Sequence, residues 1–145
     1  MDTNSFYQVY FNCELKTKGE VQSFISEIVC QNDPSQKEEI VKQMNEREKV
    51  GSTLIAEHVM LPHIESNQLK KSQILFIRLS EPIVSWDRQT KDIRLLIVIL
   101  LKTNENDQIK KKITLFTRTL ADEDYLNRLL NIKERKVFKQ EIIKF

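Results

Sequence analysis

The chain has 145 residues, of which 23 are basic and 21 acidic, giving a net charge of +2; hydrophobic residues make up 40% and charged residues 30%. That length and composition fit one packed domain and exclude both a disordered chain and two comfortable domains. The charges are mixed along the chain, which excludes the basic footprint of a nucleic-acid binder.

Residues Tyr7 to Leu15 are rich in aromatic and β-branched types and read as a strand. Thr17-Lys18-Gly19-Glu20 has the spacing of a capping box, opening a helix with Val21, Phe24, Ile25, Ile28 and Val29 on one face. Gln31-Asn32-Asp33-Pro34 stops it. Ser35-Gln36-Lys37-Glu38 reads as a second capping box, for a helix with Ile40, Val41 and Met44 inward that runs towards Arg47. Past Gly51 the pattern becomes extended: Thr53 to Ile55 and Val59 to Leu61 are short strands, and Ser72 to Leu79 alternates as a strand. Pro82 to Trp86 reads as an edge or short strand kept off the sheet centre by its proline. Trp86-Asp87-Arg88 is a turn with an anchoring aromatic. Ile93 to Leu101 is the almost continuous Ile/Leu/Val run of a central strand buried on both faces. After a polar turn at Asn104 to Asp107, Ile109, Ile113, Phe116 and Leu120 share one helix face. Tyr125, Leu126, Leu129 and Leu130 form a second helix entered at Asp122. Asn131 with Glu134 can cap a third, carrying Val137, Phe138, Ile142 and Ile143. This order gives an α/β fold: a single domain, residues 1–145, with a mixed sheet flanked by helices.

Two cysteines, Cys13 and Cys30, make no disulfide framework and no Cys-x-x-Cys, so both read as reduced core-type thiols. The start of the chain shows no signal-peptide pattern, and the longest apolar run, Leu95 to Leu101, is far too short to span a bilayer. The expected location is the cytoplasm, without membrane insertion. Lys110-Lys111-Lys112 is assigned to an exposed helix face. No cofactor motif or metal-ligand spacing occurs.

The most informative segment is Glu46-Arg47-Glu48-Lys49-Val50-Gly51-Ser52-Thr53 followed by Met60-Leu61-Pro62-His63. It places one of only two histidines behind a proline, with Arg47 upstream. Pro62 fixes its own φ and biases Leu61 towards extended structure, so His63 should leave a strand end on a stiff backbone. An imidazole is a nucleophile near neutral pH and a guanidinium answers phosphoryl charge, so the pair suits the carrying of a phosphoryl group. Plainer readings stand beside this one. His63 also reads as a turn residue or a satisfied core imidazole, and Arg47 as a surface ion pair with its flanking glutamates. Ser52 and Thr53 donate hydroxyls to a phosphate or merely start a strand, and Gly51 ends the helix or supplies a positive-φ turn. His58 either faces His63 or is a crowded turn residue.

Arg47-Glu48-Lys49-Val50-Gly51-Ser52-Thr53, then Val59-Met60-Leu61-Pro62-His63, resembles the enzyme IIA domain of the mannitol/fructose class in the bacterial sugar phosphotransferase system. The likeness continues through the Ser72–Leu79 strand, Pro82-Ile83, Trp86, Ile93–Leu101 and Leu120-Ala121-Asp122. It covers the chain from about Thr17 onward. The resemblance implies a mixed sheet flanked by helices and phosphorylation of His63 by the phosphohistidine of the carrier protein HPr. It further implies that Arg47 stabilises the phosphate and that Ser52 and Thr53 line the same pocket. Transfer between two imidazoles needs mainly positioning and charge stabilisation, which so short a constellation can supply.

Two departures qualify the likeness. Transport-competent members carry a second histidine at the start of the helix after the central strand; here Asn104-Glu105-Asn106-Asp107-Gln108-Ile109 has none, and Gln108 or a neighbour occupies the place. His58 stands where many members have glycine. The expectation is a regulatory domain, His63 acting as a switch, within a fragment of a longer sugar-responsive transcription regulator or antiterminator. A phosphocarrier feeding a IIB component, and a non-phosphorylated interaction module, are the rivals.

Overall fold

The computed structural model describes residues 6–31 and 33–143, without the side chain of Ile143; the Asn32 part of the expected helix stop and the inward role of Ile143 lie outside the described residues. Twelve elements follow in order. They are β1 (Tyr7–Cys13), α1 (Lys18–Val29), a single 3-10 turn (Pro34–Gln36), α2 (Lys37–Val50), β2 (Leu54–Ala56), β3 (Val59–Met60) and β4 (His63–Ser66). After them come β5 (Gln73–Ser85), β6 (Lys91–Lys102), α3 (Asp107–Thr119), α4 (Glu123–Asn131) and α5 (Arg135–Ile143).

The sheet is mixed, as expected, in the order β1-β5-β6-β3-β2, with β4 also on β6. β1 runs parallel to β5, β5 antiparallel to β6, and β3 and β4 parallel to β6. Alternate side chains of β5 and β6 enter opposite layers. Leu75, Ile77, Leu96, Val98 and Leu100 pack with Val21, Ile25, Ile40 and Met44 of α1 and α2. Ile74, Phe76, Leu95, Ile97 and Ile99 pack with Phe116, Leu126, Leu129 and Phe138 of α3 to α5. The sheet therefore lies between two helical layers. Burial on both faces explains why the middle of β6 is apolar without interruption: Leu95 to Leu100 are all at most 4% exposed.

Local sequence accounts for most helix starts. Thr17 Oγ1 accepts from the Glu20 amide, Asn106 Oδ1 from Ile109, and Asp122 Oδ1 from Asp124 and Tyr125, each relieving an orphan amide of the first turn. The second capping box is a correction. Asp33, not Ser35, caps the chain there, accepting from the Ser35 amide, and α2 starts at Lys37 without a side-chain cap. Asn131 likewise does not cap α5. It is the last residue of α4 and donates its side-chain amide to Asn127 O, while Glu134 O accepts from Phe138 N.

Two strand expectations also change. Pro82 to Trp86 is no separate edge strand; its residues through Ser85 are the second half of β5. Pro82 is tolerated because β5 bulges there, the five steps from Arg78 to Ile83 facing two steps of β6, and because β1 pairing ends at Leu79. And His63 does not leave a strand end: it begins β4. β3 and β4 lie on β6 in one continuous register, Val59 opposite Leu95 and His63 opposite Ile99, interrupted only at Leu61-Pro62.

Candidate functional site

A small pocket opens where α1, α2 and the break between β3 and β4 meet. Gln22 and Ile25 of α1, Met44, Arg47 and Glu48 of α2, Thr53, Pro62, His63 and Trp86 line it. The strand break builds its floor. Pro62 has no amide to give the sheet, yet its carbonyl accepts from Ile99 N at 2.9 Å, while Leu61 N turns the other way to Thr53 O at 2.8 Å. Two successive residues thus tie the segment to β6 on one side and to the loop after α2 on the other.

His63 is solvent-exposed at the first position of β4. Partial burial of the ring among its neighbours, then the Arg47 charge, push its pKa below the ordinary 6.5, and Glu65 opposes them. The ring is therefore mostly neutral at pH 7, with a nitrogen lone pair free to act as nucleophile. The surface ion pair considered for Arg47 is not seen: Arg47 forms no salt bridge among the described residues, and its Nη1 donates to Gly51 O at 3.3 Å, a bond at the long end of the range. Its remaining donors are available to an anion.

Thr53 is 6% exposed, and its buried hydroxyl oxygen has no hydrogen-bond partner among the described residues. An orphaned hydroxyl in a pocket holding a free guanidinium is what a phosphoryl oxygen would satisfy. Ser52 is exposed, outside the pocket lining, and its Oγ accepts from Leu54 N, so it stiffens the turn. Gly51 caps α2 in an extended conformation, φ 167°, and a Cβ there would meet nothing within 4 Å. The positive-φ alternative for this glycine is thereby removed.

The structure does not bring His58 or Gln108 into this pocket. His58 sits in the β2–β3 turn at φ 73°, its Nδ1 held 2.9 Å from Asp92 O and its carbonyl accepting from Arg94 and Leu95. It is a crowded turn residue. Gln108 is exposed in the first turn of α3.

Of the pocket residues that sequence reasoning missed as site members, Glu48 and Trp86 bond to each other. Glu48 accepts from Trp86 Nε1 at 3.1 Å and pairs with Lys18 Nζ. Both contacts are long-range, and no local pattern announces them. Among the described residues no cluster of side chains could hold a metal ion, and no helix is long and apolar enough to cross a membrane.

Comparison with known proteins shows the family and the fold. The family model for the phosphoenolpyruvate-dependent sugar phosphotransferase system, EIIA 2, matches residues 7–145. The mannitol-specific EIICBA component of Klebsiella pneumoniae is 30% identical over 124 residues, 83% of this chain and 19% of that protein. The multiphosphoryl transfer protein of Shigella flexneri is 26% identical over 87 residues, 60% of this chain and 10% of that protein. The chain thus spans a fifth or less of these relatives. Among solved structures, the nitrogen regulatory protein IIA-Ntr of Neisseria meningitidis superposes with a TM-score of 0.75 at 16% identity, over 95% of this chain and 97% of that one. Escherichia coli enzyme IIA mannitol, solved in complex with phosphorylated enzyme IIB, superposes at 0.70 and 21% identity, over 100% and 98%. Both likenesses show the fold.

Proposed function

Because the chain belongs to the EIIA type 2 family of the phosphoenolpyruvate-dependent sugar phosphotransferase system, we propose that His63 accepts a phosphoryl group from the phosphohistidine of HPr. The observation that carries the reading is the exposed imidazole kept neutral in a pocket shared with the unpaired guanidinium of Arg47 and the orphaned hydroxyl of Thr53. The His63 lone pair forms a bond to phosphorus as the donor imidazole's N–P bond breaks and its pair returns to the donor nitrogen. No oxidant or cofactor is needed. Arg47 meets the transferring charge and Thr53 donates to one of its oxygens. Ser52 acts by shaping the turn.

The finer role is a regulatory switch in the cytoplasm, the chain being one domain of a longer sugar-responsive regulator. Its support is that the chain has two histidines, and the second, His58, is held by Asp92 in a distant turn. Gln108 at the start of α3 can donate a hydrogen bond but cannot titrate. A bound phosphate adds roughly one and a half to two negative charges at the α2–β4 corner, enough to rebias a domain interface. The rival is a carrier to a IIB component, which the likeness to the mannitol-specific relative favours.

Incubation with enzyme I, HPr and phosphoenolpyruvate, read by intact mass, tests the reading. A gain of about one phosphate, lost in His63→Ala and kept in His58→Ala, is expected. Absence of any gain leaves a non-phosphorylated module with the IIA fold. Rapid discharge to an added IIB domain would replace the regulatory role with transport.

A further inference from the structure

Arg47 is only as well placed as the last turn of α2, and that turn is thinly anchored. Ile40 and Met44 bury the helix body, but Lys49 and Val50 are exposed, Val50 to 84%. Among the described residues Arg47 itself bonds only to Gly51, four residues on. Among the described residues, Glu48 is the one side chain from 47 to 50 that bonds to other elements. Its Oε1 accepts from the Trp86 indole, at the start of the β5–β6 turn, and its Oε2 pairs with Lys18 in the first turn of α1. Trp86 is 6% exposed and the Glu48 side chain 17%. One carboxylate therefore holds three segments together at the pocket wall.

This arrangement has an electrostatic cost that Lys18 offsets. An unpaired carboxylate next to Arg47, in the same pocket, would both attract the guanidinium and repel a phosphoryl group. We propose that Glu48, clamped between Trp86 and Lys18, is the residue that positions Arg47 for phosphoryl capture, with Lys18 neutralising the carboxylate so that Arg47 stays free for the phosphate. The inference rests on His63 being the phosphoryl acceptor and adds two residues that act through Arg47.

The roles of the two residues separate by charge. Glu48→Gln keeps an acceptor for Trp86 and the side-chain volume but loosens the tie to Lys18. Lys18→Met leaves the carboxylate uncompensated. The double variant restores neutrality. Rates of phosphoryl uptake from phospho-HPr are to be measured for all three, with thermal unfolding as a check on folding and an NMR titration of His63. Misplacement of a positioned group by an ångström costs up to about a hundredfold in rate. Lys18→Met is expected to be the slowest, by roughly ten- to a hundredfold, with the His63 pKa raised because the unmasked carboxylate draws away the Arg47 charge that depresses it. The double variant should recover much of that rate and return the His63 pKa towards that of the unaltered protein. A merely structural bridge would give neither the pKa rise nor the recovery. Variants that keep pace with a phosphorylated parent, or a double variant slower than both singles, overturn the inference alone. A parent protein that gains no phosphate overturns the functional reading and this inference with it.

Discussion

Replacing Arg47 by alanine separates the phosphoryl-acceptor reading from a histidine that is merely exposed. The guanidinium lines the His63 pocket with one long hydrogen bond to Gly51 O and no ion pair among the described residues, so alanine removes little that holds the fold. Two unit charges 4 Å apart in a partly screened site interact by about 4 kcal/mol at an effective dielectric of 20. Arg47 is half-buried, so solvent screening reduces that to about 2–3 kcal/mol of transition-state stabilisation. At 1.36 kcal/mol per decade this corresponds to a rate loss of about thirty- to a hundred-and-fiftyfold. Arg47→Lys should recover part of it, since a single ammonium supplies charge without the fork. Single-turnover transfer from phospho-HPr, followed by intact mass, reads the rate. A second readout is independent of turnover: Arg47 depresses the His63 pKa, so its removal should move that pKa upwards in an NMR titration. Transfer at the parent rate together with an unmoved His63 pKa would refute the placement of Arg47 beside the acceptor.

Thr53→Val removes a buried hydroxyl that has no partner; urea unfolding should show a gain of about 1 kcal/mol, while phosphoryl uptake slows because an anion donor is lost. The depressed pKa of His63 has two consequences. Uptake should stay flat as pH falls through the ordinary value of 6.5 and drop only below it, where the ring finally protonates. Folding stability should decline over the same window, because the unfolded chain binds its proton first; the stabilisation is present above 6.5 and lost as pH falls towards the folded pKa. The slope in that window should vanish in His63→Gln. Arg78→Met should cost about 2–4 kcal/mol in urea unfolding without slowing transfer, since Arg78 donates at 2.7 Å to Leu129 O and Ile132 O and covers the Phe11 ring, away from the pocket.

The parts of the fold legible in the sequence are those where local chemistry decides. Thr17, Asn106 and Asp122 stand at helix starts as acceptors for orphan amides, and the Ile93–Leu101 run needs no context to read as doubly buried. β4 was not legible. His63-Ile64-Glu65-Ser66 follows a proline and contains one large apolar residue, and it becomes a strand only because β6 offers the register from Ile99 to Lys102. Pro82 marks an edge or short strand for a sound local reason, but a bulge of three extra residues absorbs it within β5. Ser35 had the spacing of a cap and lost the position to Asp33, whose carboxylate accepts both the Ser35 amide and hydroxyl. That His63 and Arg47 share a pocket is legible as residue types at a spacing. Glu48 and Trp86, thirty-eight residues apart, meet only in the folded chain.

The proline before His63 has a structural consequence that a sequence motif does not convey. An amide at position 62 would let β3 and β4 fuse into one strand along β6. Without it the chain is pulled two ways in two residues, Leu61 N to Thr53 O and Pro62 O to Ile99 N. The first bond fixes the loop that carries Thr53 and follows the Arg47 turn; the second fixes the backbone of His63 against the most buried strand. Phosphoryl transfer between imidazoles depends on placement more than on added chemical groups. A break that keeps register on both sides holds the His63 backbone in place while the β4 alternation leaves its side chain exposed. The rigidity therefore comes from β6, the exposure from the alternation of side chains along β4, and the charge from α2, whose last turn is the least anchored of the three.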